Sequence, residues 1–137
     1  MAAMLFRYQY RDAANFKAAG EIVLTGSLRD EENDAICIKF SPDGLFIAEQ
    51  LDVPPLYEKL YQWSDGPTSY DHCWHELVEL CLIDETKRPL RTSIWGSAND
   101  FLMRVLAIDE WNECLSPHGQ VFQTSFGSSI SGNRHRV

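Results

Sequence analysis

The residues from His72 to Ile83 constrain the fold more than any other stretch, because this apolar run fits two different structures. As a helix, Trp74, Leu77, Val78, Cys81 and Leu82 share one face at i, i+3, i+4, i+7 and i+8, with His72, His75, Glu76 and Glu79 opposite. As a strand, Trp74, Val78, Leu80 and Leu82 point one way, with Glu76 the exception. Cys73, His75, Leu77, Glu79 and Cys81 then point the other way. Periodicity alone favours the helix. The rest of the chain favours the strand.

Leu5 to Tyr10 alternates large apolar and polar side chains, and Gly20 to Gly26 is a β-branched run bounded by glycines. These two segments predict an antiparallel pair joined by the polar stretch Arg11–Ala19. A two-stranded sheet is marginal in water, so the pair calls for a third strand, and His72–Ile83 supplies it. The polar Lys87-Arg88-Pro89 connection that follows suits a crossing from strand to helix.

Helices are expected in three places. Ser27 with Asp30 reads as a helix start before Ala35, Ile36 and Phe40, and Ser41-Pro42-Asp43-Gly44 as its end. Pro54-Pro55 opens a segment in which Leu56, Leu60 and Trp63 lie at helical spacing, as do Tyr57 and Tyr61. Ser97 with Asp100 caps a helix whose apolar face holds Phe101, Leu102, Val105, Leu106, Ile108 and Trp111. Leu45–Ala48 is apolar but too short to classify. The expected fold is α+β, a small antiparallel sheet of three or four strands with two or three helices packed on one face. Residues 1–119 are expected to form a single globular domain, and the Gly- and Ser-rich residues 120–137 a flexible C-terminal tail.

The formal net charge is −8, and all 20 Asp and Glu lie between Asp12 and Glu113. Such a body repels nucleic acid and anionic membrane surfaces, which need clustered Lys and Arg. The four cysteines, Cys37, Cys73, Cys81 and Cys114, sit in apolar patterns, and no secretory leader or membrane span is recognisable. A reduced, cytoplasmic protein is the expectation.

Catalytic candidates converge on Asp71-His72-Cys73-Trp74-His75-Glu76. Histidine titrates near neutrality, so His72, His75 and Glu76 are candidate acid/base groups for a hydrolase-like activity, with or without a metal. Two histidines three apart meet on a helix and not on a strand, where they face opposite sides. Cys114 and His118 are weak further metal candidates beside His72 and His75. The order His-x-x-His-Glu is not that of zinc proteases, and no phosphate loop, dinucleotide fingerprint or nucleophile elbow is present. No metal and no cofactor is expected.

The competing reading is a binding surface. Tyr57, Tyr61, Trp63, Tyr70 and Trp74 crowd one stretch of chain, interleaved with Glu49, Asp52, Glu58, Asp65, Asp71 and Glu76. Tyrosine and tryptophan dominate binding hot spots, and an acidic rim suits a basic partner. The expected partner-binding residues are therefore Tyr57, Tyr61, Trp63, Tyr70, Asp71 and Trp74. The favoured function is a small acidic protein-binding or regulatory module, of the inhibitor or immunity-protein kind. Its partner is another protein, a basic one by charge, or a second copy forming a homodimer. The alternatives are the hydrolase-like or metal-dependent enzyme and an acidic nucleic-acid mimic that blocks a DNA- or RNA-binding protein. Filling a core is the simpler role for the same rings.

Overall fold

The computed structural model describes residues 2–40, 42–84 and 92–118. In chain order the elements are β1 (Ala2–Arg11), β2 (Lys17–Thr25), α1 (Asp30–Lys39), β3 (Leu45–Ile47) and the single turn α2 (Ala48–Leu51). A 3-10 segment at Tyr57–Trp63 leads to β4 (Trp74–Asp84), β5 (Ser93–Ser97), α3 (Ala98–Leu106) and a short 3-10 turn at Glu113–Leu115. The predicted tail, 120–137, lies outside the described residues, as does the Lys87-Arg88-Pro89 connection.

Alternation decides β1. Met4, Phe6, Tyr8 and Tyr10 are buried, while Arg7 and Arg11 are exposed on the other face. β2 pairs antiparallel with β1 along its whole length, from Ala3↔Thr25 to Arg11↔Lys17. The turn between them is held by buried Asp12, whose Oδ1 accepts the amides of Ala14 and Phe16 at 2.9 Å each. Where Tyr8 faces β2 its partner is Gly20, and a Cβ there would meet Leu56 Cδ2 at 2.7 Å and the Tyr8 ring at 3.1 Å. A side chain at this position would force the Leu56 and Tyr8 side chains to shift.

The segment 72–83 is a strand over Trp74–Asp84, as sheet completion predicts. Its side chains depart from strict alternation, because the register against β1 shifts between Arg7 and Tyr8. Arg7 faces Glu79 and Tyr8 faces Leu77, which leaves Val78 as an extra residue. This β-bulge puts both Leu77 and Leu80 on the core side, three residues apart. The helix-like spacing in the sequence is the imprint of the bulge.

The sheet is larger than expected and not purely antiparallel. Five strands lie in the order β3-β4-β1-β2-β5. β3 pairs antiparallel with the start of β4, and β5 runs parallel to β2. β5 escapes prediction because Ser93-Ile94-Trp95-Gly96-Ser97 has no alternating run of its own. Its ladder is made with a strand some seventy residues away.

α1 begins at Asp30, later than Ser27 suggests, with the Glu32 carboxylate accepting the Arg29 amide at 2.9 Å. α3 is capped as predicted, Ser97 Oγ accepting the Asp100 amide at 3.0 Å, but it ends at Leu106, short of Ile108 and Trp111. The segment after Pro54-Pro55 forms the tighter 3-10 helix, with Leu56, Tyr57 and Leu60 buried. Side chains of α1, α3, β1, β2 and β3 enter one core, centred on Phe6. Its ring lies 5.1–6.3 Å from those of Phe101, Phe46, Tyr8 and Phe40. The opposite sheet face carries ion pairs: Arg7 reaches Glu79 at 3.4 Å and Glu21 at 3.8 Å, and Arg11 reaches Glu76 at 3.2 Å. These are half-exposed and each is worth about 0–1 kcal/mol. Among the described residues no helix is long and apolar enough to cross a membrane.

Phe6→Ala removes the ring that four others contact and is expected to cost ~3–5 kcal/mol. Urea unfolding should show a lower midpoint with an unchanged slope. A loss below ~1 kcal/mol would show that the core does not depend on this ring.

Candidate functional site

The residues around Asp71–Glu76 meet at the end of β1. Tyr10 Oη donates to Asp71 Oδ1 at 2.6 Å and accepts the His72 amide at 3.1 Å, while Asp71 Oδ2 accepts the Thr68 amide at 2.8 Å. Asp71 is thus a buried structural acceptor that ties the 68–72 loop to β1. The rings of His72 and His75 flank the same tyrosine ring, at 5.1 and 5.3 Å.

Neither imidazole is free for chemistry. His75 is fully buried among the rings of Tyr8, Tyr10, Phe46 and Tyr57. Its Nε2 accepts the Leu56 amide at 3.0 Å and its Nδ1 lies 3.3 Å from the Cys73 carbonyl, so Nδ1 carries the proton. Burial is the main cause holding its pKa down at about 4. His72 Nδ1 accepts the Trp74 amide at 3.0 Å, and Nε2 donates to the Arg11 carbonyl at 2.7 Å. A metal needs a nitrogen lone pair, and in both rings that lone pair already holds a backbone amide. Glu76 lies on the other sheet face with Arg11. The three candidate acid/base residues therefore do not converge.

His118 is buried under the 3-10 segment, bonded to Tyr61 Oη and packed edge-on against Tyr57 at 4.1 Å. Cys114 is exposed. Among the described residues, no three His, Cys, Asp or Glu side chains are arranged to hold a metal ion. Cys73 is buried with its Sγ 3.8 Å from Glu113 Oε1. Burial and the Glu113 charge push the Cys73 thiol up to about 12, so it stays protonated and unreactive at neutral pH.

The aromatic stretch mostly turns inward. Tyr57 is buried and donates to Glu49 Oε2; burial, then Glu49, raises its pKa. Tyr61 and Tyr70 are half-buried, and Trp63 is 51% exposed. Trp74 alone of the six expected contact residues lines the open cleft beside the 107–115 loop.

That open cleft, about 1010 Å³, is lined by Gln50, Trp74, Arg104, Leu115 and the run Ala107–Glu113. Trp74 and Trp111 meet edge to face with centroids 6.2 Å apart. Trp74 Nε1 donates to Glu113 Oε1 at 2.9 Å, fixing both the indole and the carboxylate. Trp111 Nε1 donates to the Lys39 carbonyl at 3.2 Å, and Lys39 Nζ returns a bond to the Ile108 carbonyl. Gln50 clamps the loop through its side chain to Glu110 and Asn112. Asp109, Glu110 and Glu113 supply negative charge, and Arg104, the one lining cation among the described residues, has its Nε on the Gln50 carbonyl at 3.2 Å. The run Asp109-Glu110-Trp111-Asn112-Glu113 lies outside the acidic aromatic stretch picked out from the sequence, where Trp111 reads only as one more turn of helix. No family model, curated protein or solved structure matches the chain.

His75 sets a pH dependence. Its ordinary value near 6.5 applies to the unfolded chain and about 4 to the folded one, so the unfolded chain takes up a proton first as pH falls. Its stabilising contribution is whole above pH 6.5, declines down to about pH 4 and is flat below, ~3 kcal/mol in all. His75→Gln keeps an acceptor for the Leu56 amide without titrating. The gap in stability between wild type and variant, from urea unfolding at each pH, should narrow toward pH 4. A gap that stays constant would mean a solvated His75.

Proposed function

We propose that this protein is a binding module whose acidic, tryptophan-lined cleft docks a basic segment of a partner protein. The observation that carries the reading is the pairing of Trp74 and Trp111 with Glu113, Asp109 and Glu110 around one cleft. Lysine and arginine side chains gain from both kinds of group, by cation–π attraction to an indole and by charge-assisted hydrogen bonds to a carboxylate. Glu113 is already held by Trp74 Nε1, so it needs little ordering when a cation arrives. The negative net charge would speed the approach of a basic partner. A role as an inhibitor or immunity-type protein fits this mode, in which the module covers a basic functional surface of its partner.

The reading also accounts for the histidines. With their lone pairs spent on backbone amides, His72 and His75 build the end of the sheet on which Trp74 stands.

Titration with short Arg- and Lys-rich peptides, followed by NMR, tests the reading. Shifts should be confined to Trp74, Trp111 and the 107–115 loop, and should fade as salt is raised. Glu113→Gln keeps an acceptor for Trp74 and should weaken binding about tenfold, the scale of one charge-assisted bond. Equal binding by wild type and variant, or equal binding of an acidic peptide, would overturn the proposal.

A further inference from the structure

Charge is divided along this chain. All 20 Asp and Glu lie between Asp12 and Glu113, and residues 114–137 carry Arg134 and Arg136 with no acid. The last three carboxylates before that point, Asp109, Glu110 and Glu113, line the cleft together with the indoles of Trp74 and Trp111. Asp109 and Glu110 are exposed. Among the described residues, the ion pairs of Arg7, Arg11 and Arg29 involve none of the three. Leu115, which also lines the cleft, is three residues from His118, where the described residues end.

We propose that the segment 120–137 of this chain docks in the cleft through Arg134 and Arg136, and so regulates the entry of a basic partner. The inference rests on the reading of the cleft as a seat for basic side chains. Charge and reach select the occupant. Arg7, Arg11 and Arg29 are paired with glutamates elsewhere, and Lys39, Lys59 and Arg104 are bonded to backbone carbonyls. Lys17 sits exposed on β2, two strands from β4. Lys87, Arg88 and Arg91 belong to the connection between Asp84 and Ser93. That connection leaves β4 about 33 Å along the strand from Trp74, at ~3.3 Å per residue, and enters β5 at the far edge of the sheet.

Arg134 and Arg136 have the reach that these lack. Three Cα steps place His118 within ~12 Å of Leu115 at the cleft, and the sixteen residues from His118 to Arg134 can span up to ~50 Å. A guanidinium stacks on an indole and bonds a carboxylate with two parallel donors, so it suits both groups of the cleft. Tethering also lowers the affinity required, because a linked segment acts at an effective concentration on the order of millimolar. A seat of ~1 mM strength is then half filled, and one of ~0.1 mM about nine-tenths filled. A free basic partner must displace the tethered arginines, and its apparent affinity falls about two- to tenfold.

The test compares the full chain with a double variant, Arg134→Ala with Arg136→Ala. Proton–nitrogen NMR at low salt reads the indole Nε1–H signals of Trp74 and Trp111. They should differ between the two proteins at every concentration and converge as salt is raised. The Trp95 indole, held by the Leu51 and Asp52 carbonyls, should coincide in both. A hexa-arginine peptide should bind the double variant about two- to tenfold more tightly. Coincident Trp74 and Trp111 signals, or equal peptide affinities, overturn the inference while the cleft remains a seat for basic side chains. Signals that differ only in concentrated samples also overturn it, because the segment then reaches a second copy. Differing signals with no peptide bound by either protein would keep the arginines in the cleft and overturn the docking of a basic partner instead.

Discussion

The hydrogen bond from the Leu56 amide to His75 Nε2 is the contact on which the arrangement around the site depends. It joins two stretches of chain that share no secondary structure, the start of β4 and the segment after Pro54-Pro55. An amide buried there without an acceptor would cost about 1–3 kcal/mol, and four aromatic rings leave no room for water to replace one. Only a neutral imidazole can accept, so the cage and the bond support each other. Burial holds the ring neutral, and the neutral ring satisfies the amide that burial would otherwise strand. Tyr8 adds a second tie to the same segment, its hydroxyl donating to the Pro54 carbonyl at 2.6 Å.

From that anchor the geometry of the cleft follows. With His75 turned into the core, the start of β4 is fixed, and Trp74 meets Glu113 and Trp111. The loop that brings those residues is held from three directions, by Lys39 of α1, by Gln50 of α2, and by His118, which bonds to Tyr61 of the 3-10 segment. None of these bonds is a helix or sheet ladder. The acidic groups of the loop thereby line one cleft together.

Much of the fold is legible in the sequence where the signal is local. β1 and β2 follow from alternation, and α3 from the Ser97 cap and the apolar stripe from Phe101 to Val105. β4 follows only by reasoning about what a two-stranded sheet lacks, because its spacing looks helical around Val78. β5 and the parallel pairing are invisible locally, since two apolar residues carry no period. The site is less legible still. Tyr10 and Asp71 are sixty-one residues apart, and no pattern near either announces their bond. Aromatic density at 57–74 suggests a surface, but Tyr57 and Asp71 find partners inside. Trp111 looks helical because it continues the stripe of α3, although the chain leaves the helix after Leu106 to meet α1.

The extra residue at Val78 also bears on how β4 can tolerate changes in length. In an even strand, losing one residue turns every later side chain to the wrong face. Here Leu77 already faces Tyr8 and Glu79 already faces Arg7, so the chain without Val78 would pair in the same order, with a regular pleat. This point in β4 is therefore one where a single-residue deletion leaves inside and outside unchanged. Length variation, normally confined to loops, has a place to be absorbed within the sheet itself.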